Sequence, residues 1–234
     1  MVCVTIYPLF ERWDRHMGVG RSPPNSVLSG GRFGRDALRS RLEYAASVGW
    51  FPAVVTVWFF VVQPSIARFR LFALQSTPPS SLEELPVRAV GVFAHVLFHD
   101  PTQRPPLHLL KNLGLFAAVA VGFLSLNESA DAIRAAYARL VVLTPPVTAA
   151  VFLVTGRTKF GYGASTVGFA LTGYVAGEIV AGSASPRHSR LAFAFLCYAT
   201  AVFVGDVVTG GLATALHAAG FLLGASYAIL SAAR

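Results

Sequence analysis

Charged residues are scarce in this chain. Only 13% of its 234 residues are charged, whereas 54% are hydrophobic and the mean hydropathy is +0.58. Because a soluble globular domain carries about 25% charged residues, this composition excludes a disordered chain, a coiled coil and an ordinary soluble enzyme. It instead predicts an integral membrane protein in contact with a lipid bilayer. At about 20 residues per transmembrane helix, the length suffices for six helices and a modest tail, without a second globular domain.

Cysteine and lysine are also rare. The two cysteines, Cys3 and Cys197, lie far apart in the sequence, so a structural disulfide is not expected. Only Lys111 and Lys159 are lysines among the 19 basic residues, and the net charge is +8. The arginines precede the first apolar run or fall mostly between later runs, as topology determinants do. This distribution argues against nucleic acid as a partner.

Residues 1–42 form a basic tail that is predicted to be disordered and cytoplasmic. The segments SPPNS (22–26) and SGGRFGR (29–35) are rich in Ser, Gly, Pro and Arg and offer little to bury. Seven arginines precede the first apolar run, and by the positive-inside rule they place the amino terminus in the cytoplasm. The tail alone decides this orientation. The remaining residues, 43–234, are predicted to form the membrane domain.

Six apolar runs are predicted as transmembrane helices, so the predicted fold class is an all-α, polytopic membrane protein. The runs are 46–62, 107–126, 139–154, 164–182, 191–205 and 212–232. In the long connection after the first run, residues 87–99 are apolar enough to lie in the membrane surface or to dip into it. Pro145 and Pro146 are expected to kink or locally break the third helix.

Polar side chains within the apolar runs are functional candidates, because placing them in hydrocarbon costs free energy. Two histidines of the preceding connection are added because they are close in sequence to the second run. The candidates are His95, His99, His108, Asn112, Ser165 and His217.

Ser165 and His217 have the residue types of a nucleophile and its base. A serine hydroxyl is a weak nucleophile until a neutral imidazole within hydrogen-bonding reach takes its proton. Ser165 follows Gly161 and Gly163, which permit a tight turn where the helix begins. The unpaired N–H groups of a helix amino terminus also favour a developing oxyanion.

The spacing of glycines in the fourth and sixth predicted helices indicates that these two helices are in contact. Gly220 and Gly224 follow His217 at i+3 and i+7, and Gly173 and Gly177 offer a matching face on the fourth helix. Small residues on facing helices let two backbones approach closely in lipid. We therefore expect a hydroxyl on one helix to meet an imidazole on the other.

This contact sets three further expectations. Ser165 Oγ and a ring nitrogen of His217 should lie within about 2.6–3.2 Å. Phe169, at i+4 from Ser165, is expected to stack on the imidazole. His108 and Asn112 share one face of the second helix at i, i+4 and are donors for the same cavity.

Together these segments resemble the rhomboid intramembrane serine proteases. The similar segments are HVLFH…HLLKN (95–112), GYGASTVGFALTGY (161–174) and HAAGFLLG (217–224), and the resemblance covers about residues 46–232. It implies a six-helix bundle in the cell membrane whose active site opens to the extracytoplasmic side. It also implies cleavage of transmembrane segments of other membrane proteins near their extracytoplasmic ends, by a Ser-His dyad without cofactor or metal.

The resemblance implies a role for each candidate residue. Ser165 is the nucleophile and His217 is the base, while His108, Asn112 and Gly163 belong to the oxyanion and substrate-binding site. Supporting roles fall to Phe169, Gly220, Gly224, His95 and His99. The chain departs from the family at Thr166, where a smaller residue is usual, and in the longer segment between His99 and His108. Both departures are expected to lower activity.

The sequence lacks the residues that other intramembrane protease mechanisms require. No His is followed by Glu, which excludes the H-E-x-x-H helix of a metalloprotease. Asp100, Asp131 and Asp206 all fall in predicted loops or at span ends, so an intramembrane aspartyl pair is not expected. For the same reason Asp206, in the predicted turn 206–211, is set aside as a third catalytic residue. The alternative that stays open is a catalytically weak or inactive rhomboid-like adaptor or chaperone that binds membrane proteins.

Overall fold

The structure confirms a predominantly α-helical fold for the part of the chain that it describes. The computed structural model describes residues 32–66, 72–75, 77, 79, 81–99, 107–155, 160–161, 163–209 and 214–232. About 85% of these residues are helical. The chain divides into two units, Met1–Tyr44 and Ala45–Arg234, and the described part of the first unit is the beginning of the first helix. Residues 1–31, most of the predicted tail, lie outside the described residues.

Seven α-helices and two short strands make up the described chain. The helices are α1 (Arg32–Val57), α2 (Glu84–Ala94), α3 (Leu107–Phe123), α4 (Ala130–Thr155), α5 (Ser165–Val180), α6 (Ser189–Thr209) and α7 (Thr214–Ala232), and the strands are β1 (Leu74–Gln75) and β2 (Phe160–Gly161). Short helical turns follow α1 at Trp58–Val62 and Gln63–Ser65, follow α2 at His95–Leu97 and precede α6 at Pro186–His188. Each of the six predicted apolar runs is therefore a helix, and α2 occupies the apolar part of the long connection.

Four of the described helices are long and apolar enough to cross a membrane. They are Leu38–Ser65, Ala130–Thr155, Pro186–Val208 and Thr214–Ala232. Helix α3 is apolar but has 17 residues, and α5 has 16, whereas the hydrocarbon core requires about 20. The four long helices indicate a membrane protein, and the count of six transmembrane spans stays a prediction.

Helix α5 lies at the centre of the second unit. Every residue from Thr166 to Ile179 is buried, and the helix packs against α7, α3, α4 and α6. A helix that is apolar all round must be covered on all sides by protein or lipid. Here protein covers it, which makes α5 the element on which the neighbouring helices are positioned.

Helices α5 and α7 touch through the predicted glycine faces. A Cβ added to Gly173 would lie 2.0 Å from the carbonyl oxygen of Phe221, and one added to Gly224 would lie 1.8 Å from that of Ala170. No side chain larger than hydrogen fits at these positions. The predicted contact between the fourth and sixth apolar runs is thus confirmed.

Helix α1 begins earlier than the predicted tail boundary. It starts at Arg32, so residues 32–42 of the predicted disordered tail are helical. Arg39 Nε donates to Glu43 Oε1 at 2.9 Å, at i, i+4 spacing. Such pairs support a helix, and the glycine-rich composition ends within the first turn of α1.

Helix α4 is continuous through Pro145 and Pro146, so the expected local break is absent. An interior proline removes one backbone donor, and its ring crowds the carbonyl group four residues earlier. Nearby, Thr148 Oγ1 donates to the carbonyl oxygens of Thr144 at 2.9 Å and Pro145 at 3.1 Å. Thr144, Pro145 and Thr148 are all buried, and this packing holds the helix together on both sides of the prolines.

The two strands fasten the long connection to the segment before α5. They pair antiparallel, with Leu74 opposite Gly161 and Gln75 opposite Phe160. Gly161 itself lies against Phe152 of α4, where an added Cβ would be 2.9 Å from the ring. The residues that lead into Ser165 are therefore held by a strand on one side and by α4 on the other.

Candidate active site

The structure brings Ser165 and His217 together. Ser165 is the first residue of α5, and His217 lies in the first turns of α7. Ser165 Oγ is 2.9 Å from His217 Nε2, which confirms the predicted separation. With the imidazole neutral and protonated at Nδ1, the hydroxyl donates to Nε2, and this is the arrangement in which a histidine can take the serine proton.

Two contacts hold the imidazole of His217 in place: an aromatic ring stacked on its face, and the close packing of the α7 backbone against α5. Phe169 stacks on His217 with ring centroids 4.3 Å apart and planes inclined by 11°, as predicted. One turn after His217, Gly220 lies against the first turn of α5, where an added Cβ would be 2.5 Å from the Thr166 carbonyl oxygen. The close approach of the two helices thus fixes the distance between Ser165 and His217.

Asp206 lies on the other edge of the same imidazole. Its Oδ1 is 3.0 Å from His217 Nδ1, and the side chains are 19% and 11% exposed. The two atoms lie within ion-pair distance, and Nδ1 makes no well-aligned hydrogen bond to the described residues. Catalytic hydrogen bonds are often poorly aligned without substrate.

The interpretation of Asp206 as a turn residue was wrong. Helix α6 continues to Thr209, past the predicted end at residue 205, and Asp206 therefore projects from the last turn of a helix. The apolar Val207 and Val208 that follow it were the signal for this longer helix. Thr214 Oγ1 also donates to the Asp206 carbonyl oxygen at 3.2 Å, which connects the end of α6 to the start of α7.

Gly163 is the position where the chain turns into α5. Its φ of +122° belongs to the region that favours glycine, and an added Cβ would lie 2.7 Å from His108 Cε1. The Gly163 N–H donates to the His95 carbonyl oxygen at 2.9 Å. The turn before Ser165 is thereby fixed and packed against the His108 imidazole.

Asn112 and His108 lie beside this turn, as their spacing predicted. Asn112 is buried, and its Nδ2 donates to His99 Nε2 at 2.8 Å. The same nitrogen would be 3.8 Å from a Cβ on Gly163. The amide nitrogen of Asn112 thus lies between His99 and the turn. The oxyanion role of both residues stays a prediction.

His95 and His99 support the site without contacting Ser165. His95 Nδ1 is within hydrogen-bonding distance of the carbonyl oxygens of Gly91 and Val92, at 3.2 and 3.0 Å. Burial lowers the pKa of His95 to about 4. Burial, with the neighbouring His108 charge, also lowers the pKa of His99 to about 4. Both rings are therefore neutral at pH 7, and a neutral His99 accepts at Nε2.

Gln63 is a supporting residue that the sequence interpretation missed. It is buried, its Nε2 donates to the His99 carbonyl oxygen at 2.5 Å, and its Oε1 accepts from the His99 N–H at 3.1 Å. The residue follows the first apolar run, and nothing in its neighbourhood predicted a contact 36 positions away. It fixes the backbone that presents His99 to Asn112.

No known protein-family profile matches the chain, and no curated protein sequence matches it.

The two departures from the rhomboid pattern have different outcomes. Thr166 is buried, and its Oγ1 has no hydrogen-bond partner among the described residues. Most of the segment between His99 and His108, residues 100–106, lies outside the described residues. Lys111, which precedes Asn112 in the sequence, is exposed on the surface of α3. Neither Thr166 nor Lys111 takes part in the contact between Ser165 and His217.

The assembled groups are those of acyl transfer. A hydroxyl, a base and a carboxylate lie in series across α5, α7 and α6, and amide and imidazole donors of α3 flank the turn before the hydroxyl. Within the described ranges, no group of three or more His, Cys, Asp or Glu residues is arranged to hold a metal ion.

Proposed function

We propose that the protein is an intramembrane serine endopeptidase of the rhomboid type. Its substrates are transmembrane segments of other membrane proteins, which it cleaves near their extracytoplasmic ends. The observation that supports this most directly is the 2.9 Å contact between Ser165 Oγ and His217 Nε2. A serine and a histidine, 52 residues apart in the chain, meet between two closely packed helices of a protein with four membrane-length helices.

In this proposal the peptide bond is cleaved in two steps. His217 Nε2 takes the proton of Ser165 Oγ as the oxygen attacks the carbonyl carbon, and the protonated imidazole then donates that proton to the leaving amine. Water then attacks the acyl carbon and gives a proton to His217, and the imidazolium returns that proton to Ser165 Oγ as the bond between this oxygen and the acyl carbon breaks. General base catalysis of this kind contributes about 10²–10⁴-fold to the rate.

The negative charge that develops on the carbonyl oxygen requires donors. The first residue of α5 is Ser165, so its backbone N–H is unpaired within the helix and belongs to the positive end of the helix dipole. His108 and Asn112 lie on the other side of Gly163 and supply side-chain donors. Preorganised donors of this type stabilise the transition state more than the ground state.

The orientation in the membrane is part of the proposal. The arginines of the amino-terminal tail favour the cytoplasm for residues 1–42. If all six apolar runs cross the bilayer, Ser165 at the start of the fourth helix then lies near the extracytoplasmic side. A cut at the depth of Ser165 would fall near the extracytoplasmic end of the substrate's transmembrane segment.

The test is a cleavage assay with purified protein in detergent. Single-span reporter proteins are incubated with the wild type, with Ser165→Ala and with Ser189→Ala. Ser189 is the matched control because it also begins a helix, α6, away from His217. The wild type and Ser189→Ala are expected to produce the same fragments, cut within or next to the apolar segment.

Ser165→Ala is expected to produce no fragment above background. Equal cleavage by the wild type and by Ser165→Ala would contradict the proposal, because the hydroxyl would then play no part. Reporter proteins that bind to the wild type without being cut would contradict it as well and would support the adaptor alternative.

A further inference from the structure

We infer that Asp206 is a positioning residue that completes a Ser165–His217–Asp206 series, so that this site acts as a triad and not as a dyad. This inference rests on the proposed function and concerns the same site. The observation is the 3.0 Å separation of Asp206 Oδ1 and His217 Nδ1, on the ring edge opposite the contact with Ser165.

The chemistry of the base requires a partner at Nδ1. His217 can accept the serine proton at Nε2 only if its own proton resides on Nδ1. The Asp206 carboxylate lies where that N–H must be accommodated, since Nδ1 is buried. It therefore favours the reactive tautomer over the one in which Nε2 carries the proton.

The stacking of Phe169 cannot provide this selection. A ring stacked face to face at 4.3 Å fixes the plane of the imidazole, but a rotation of 180° about the Cβ–Cγ bond restores the same plane with Cδ2 and Cε1 in the places of Nδ1 and Nε2. A carboxylate on one edge and a hydroxyl on the other distinguish the two orientations. Asp206 thus favours the orientation in which Nε2, and not Cε1, faces Ser165.

The placement of Asp206 is unfavourable for a merely structural residue. It lies in the last turn of α6, where the helix carbonyl groups disfavour a negative charge. Its neighbours Gly205, Val207 and Val208 are exposed, whereas its own side chain is only 19% exposed. An inward carboxylate in an apolar helix is costly, and the imidazolium that forms during catalysis is the group that it would stabilise.

Asp206 acts through His217 and exchanges no proton in this scheme. The serine proton moves to Nε2 and then to the leaving amine, while the carboxylate stays beside the Nδ1–H. Its effect should therefore appear in the chemical step and not in substrate binding.

The test compares Asp206→Asn, Asp206→Glu and Asp131→Asn with the wild-type protein, using a single-span reporter and a fluorophosphonate probe. Asp131 is the matched control because its carboxylate is 88% exposed and pairs with Arg134 on α4. For Asp206→Asn we expect kcat to fall about 10²–10⁴-fold with little change in KM, and the labelling rate of Ser165 to fall in parallel. Asp206→Glu is expected to recover part of the loss, and Asp131→Asn to match the wild type.

Thermal unfolding of each variant separates positioning from folding. An Asp206→Asn protein that melts like the wild type and reacts at the wild-type rate would overturn the inference and leave the proposed function intact. So would a loss of activity in Asp206→Asn and Asp206→Glu alike that follows only the fraction unfolded. A wild-type protein that neither cleaves the reporter nor reacts with the probe would overturn both.

Discussion

The backbone of Gly224 in α7 lies so close to Ala170 in α5 that an added Cβ would be 1.8 Å from the Ala170 carbonyl oxygen. This contact is two turns from His217 on the same helix face. Because the two backbones touch there, the start of α7 is held against the start of α5, and His217 reaches Ser165. The chemistry of the site thus depends on residues that have no side chain.

Gly224→Ala should separate the two helices. The methyl group overlaps a backbone carbonyl that cannot move independently, and overpacking of this kind costs about 1–3 kcal/mol or more. We expect a lower melting temperature in detergent and a loss of cleavage. Gly114→Ala in α3 is the matched control, since its Cβ would meet nothing within 4 Å. Equal melting temperatures for the two variants would show that the close approach is not required.

Phe169→Ala should reduce activity by releasing the imidazole plane. An aromatic pair stabilises its geometry by about 0.5–1.5 kcal/mol, which corresponds to a loss of about 2- to 10-fold in kcat/KM. Phe169→Tyr retains the ring and should stay close to the wild type. Steady-state kinetics with a reporter substrate measure both. A Phe169→Ala protein with unchanged kcat/KM would mean that the stack at 4.3 Å plays no part in catalysis.

Asn112→Ala should lower kcat about 10²–10³-fold, the cost of removing one oxyanion donor. Because a donor of this kind acts in the transition state, KM should change little. Asn127→Ala is the control, since Asn127 is exposed and follows the far end of α3. If Asn112→Ala lowers the melting temperature and loses activity only in proportion to the protein that unfolds, the role of the amide is its hydrogen bond with His99.

Stability should fall at mildly acidic pH. Burial lowers the pKa of both His95 and His99 to about 4, whereas an unfolded histidine titrates near about 6.5. Between these values the unfolded chain binds more protons than the folded one. The stabilisation is therefore complete above pH 6.5, decreases as the pH falls through this window, and changes no further below about pH 4.

The measurement is the melting temperature as a function of pH. His99→Gln should give a shallower decline than the wild type, because one of the two imidazoles whose pKa is lowered to about 4 is removed. His188→Gln should match the wild type, since His188 is exposed. A wild-type melting temperature that does not change between pH 7 and pH 4 would contradict the burial of neutral histidines.

The sequence was sufficient to predict the helices and the central contact of the site. Apolar runs identify the six helices because lipid and protein interiors both select such runs, and the glycine spacing identified the faces at which α5 and α7 meet. The pairing of Ser165 with His217 follows from those two facts together. The stacking of Phe169 on the imidazole was predicted from its i+4 spacing from Ser165 on the same helix.

The features that were missed depend on where helices end and on contacts between distant segments. Asp206 was assigned to a turn because the glycines after it suggested an early end for α6, yet the intervening Val207 and Val208 continue the helix. Gln63 supports His99 through hydrogen bonds across 36 positions, which no local pattern encodes. Likewise, whether α3 and α5 span the bilayer depends on their surroundings and not on their composition.

The most direct test of the central claim is to identify the serine that reacts with a fluorophosphonate. The purified protein is labelled in detergent and digested, and the modified peptide is located by mass spectrometry. We expect the adduct on Ser165, with no adduct in Ser165→Ala and a strongly reduced rate in His217→Ala, because activation depends on the imidazole at 2.9 Å. Labelling of a different serine, or equal labelling of Ser165 with and without His217, would contradict the account.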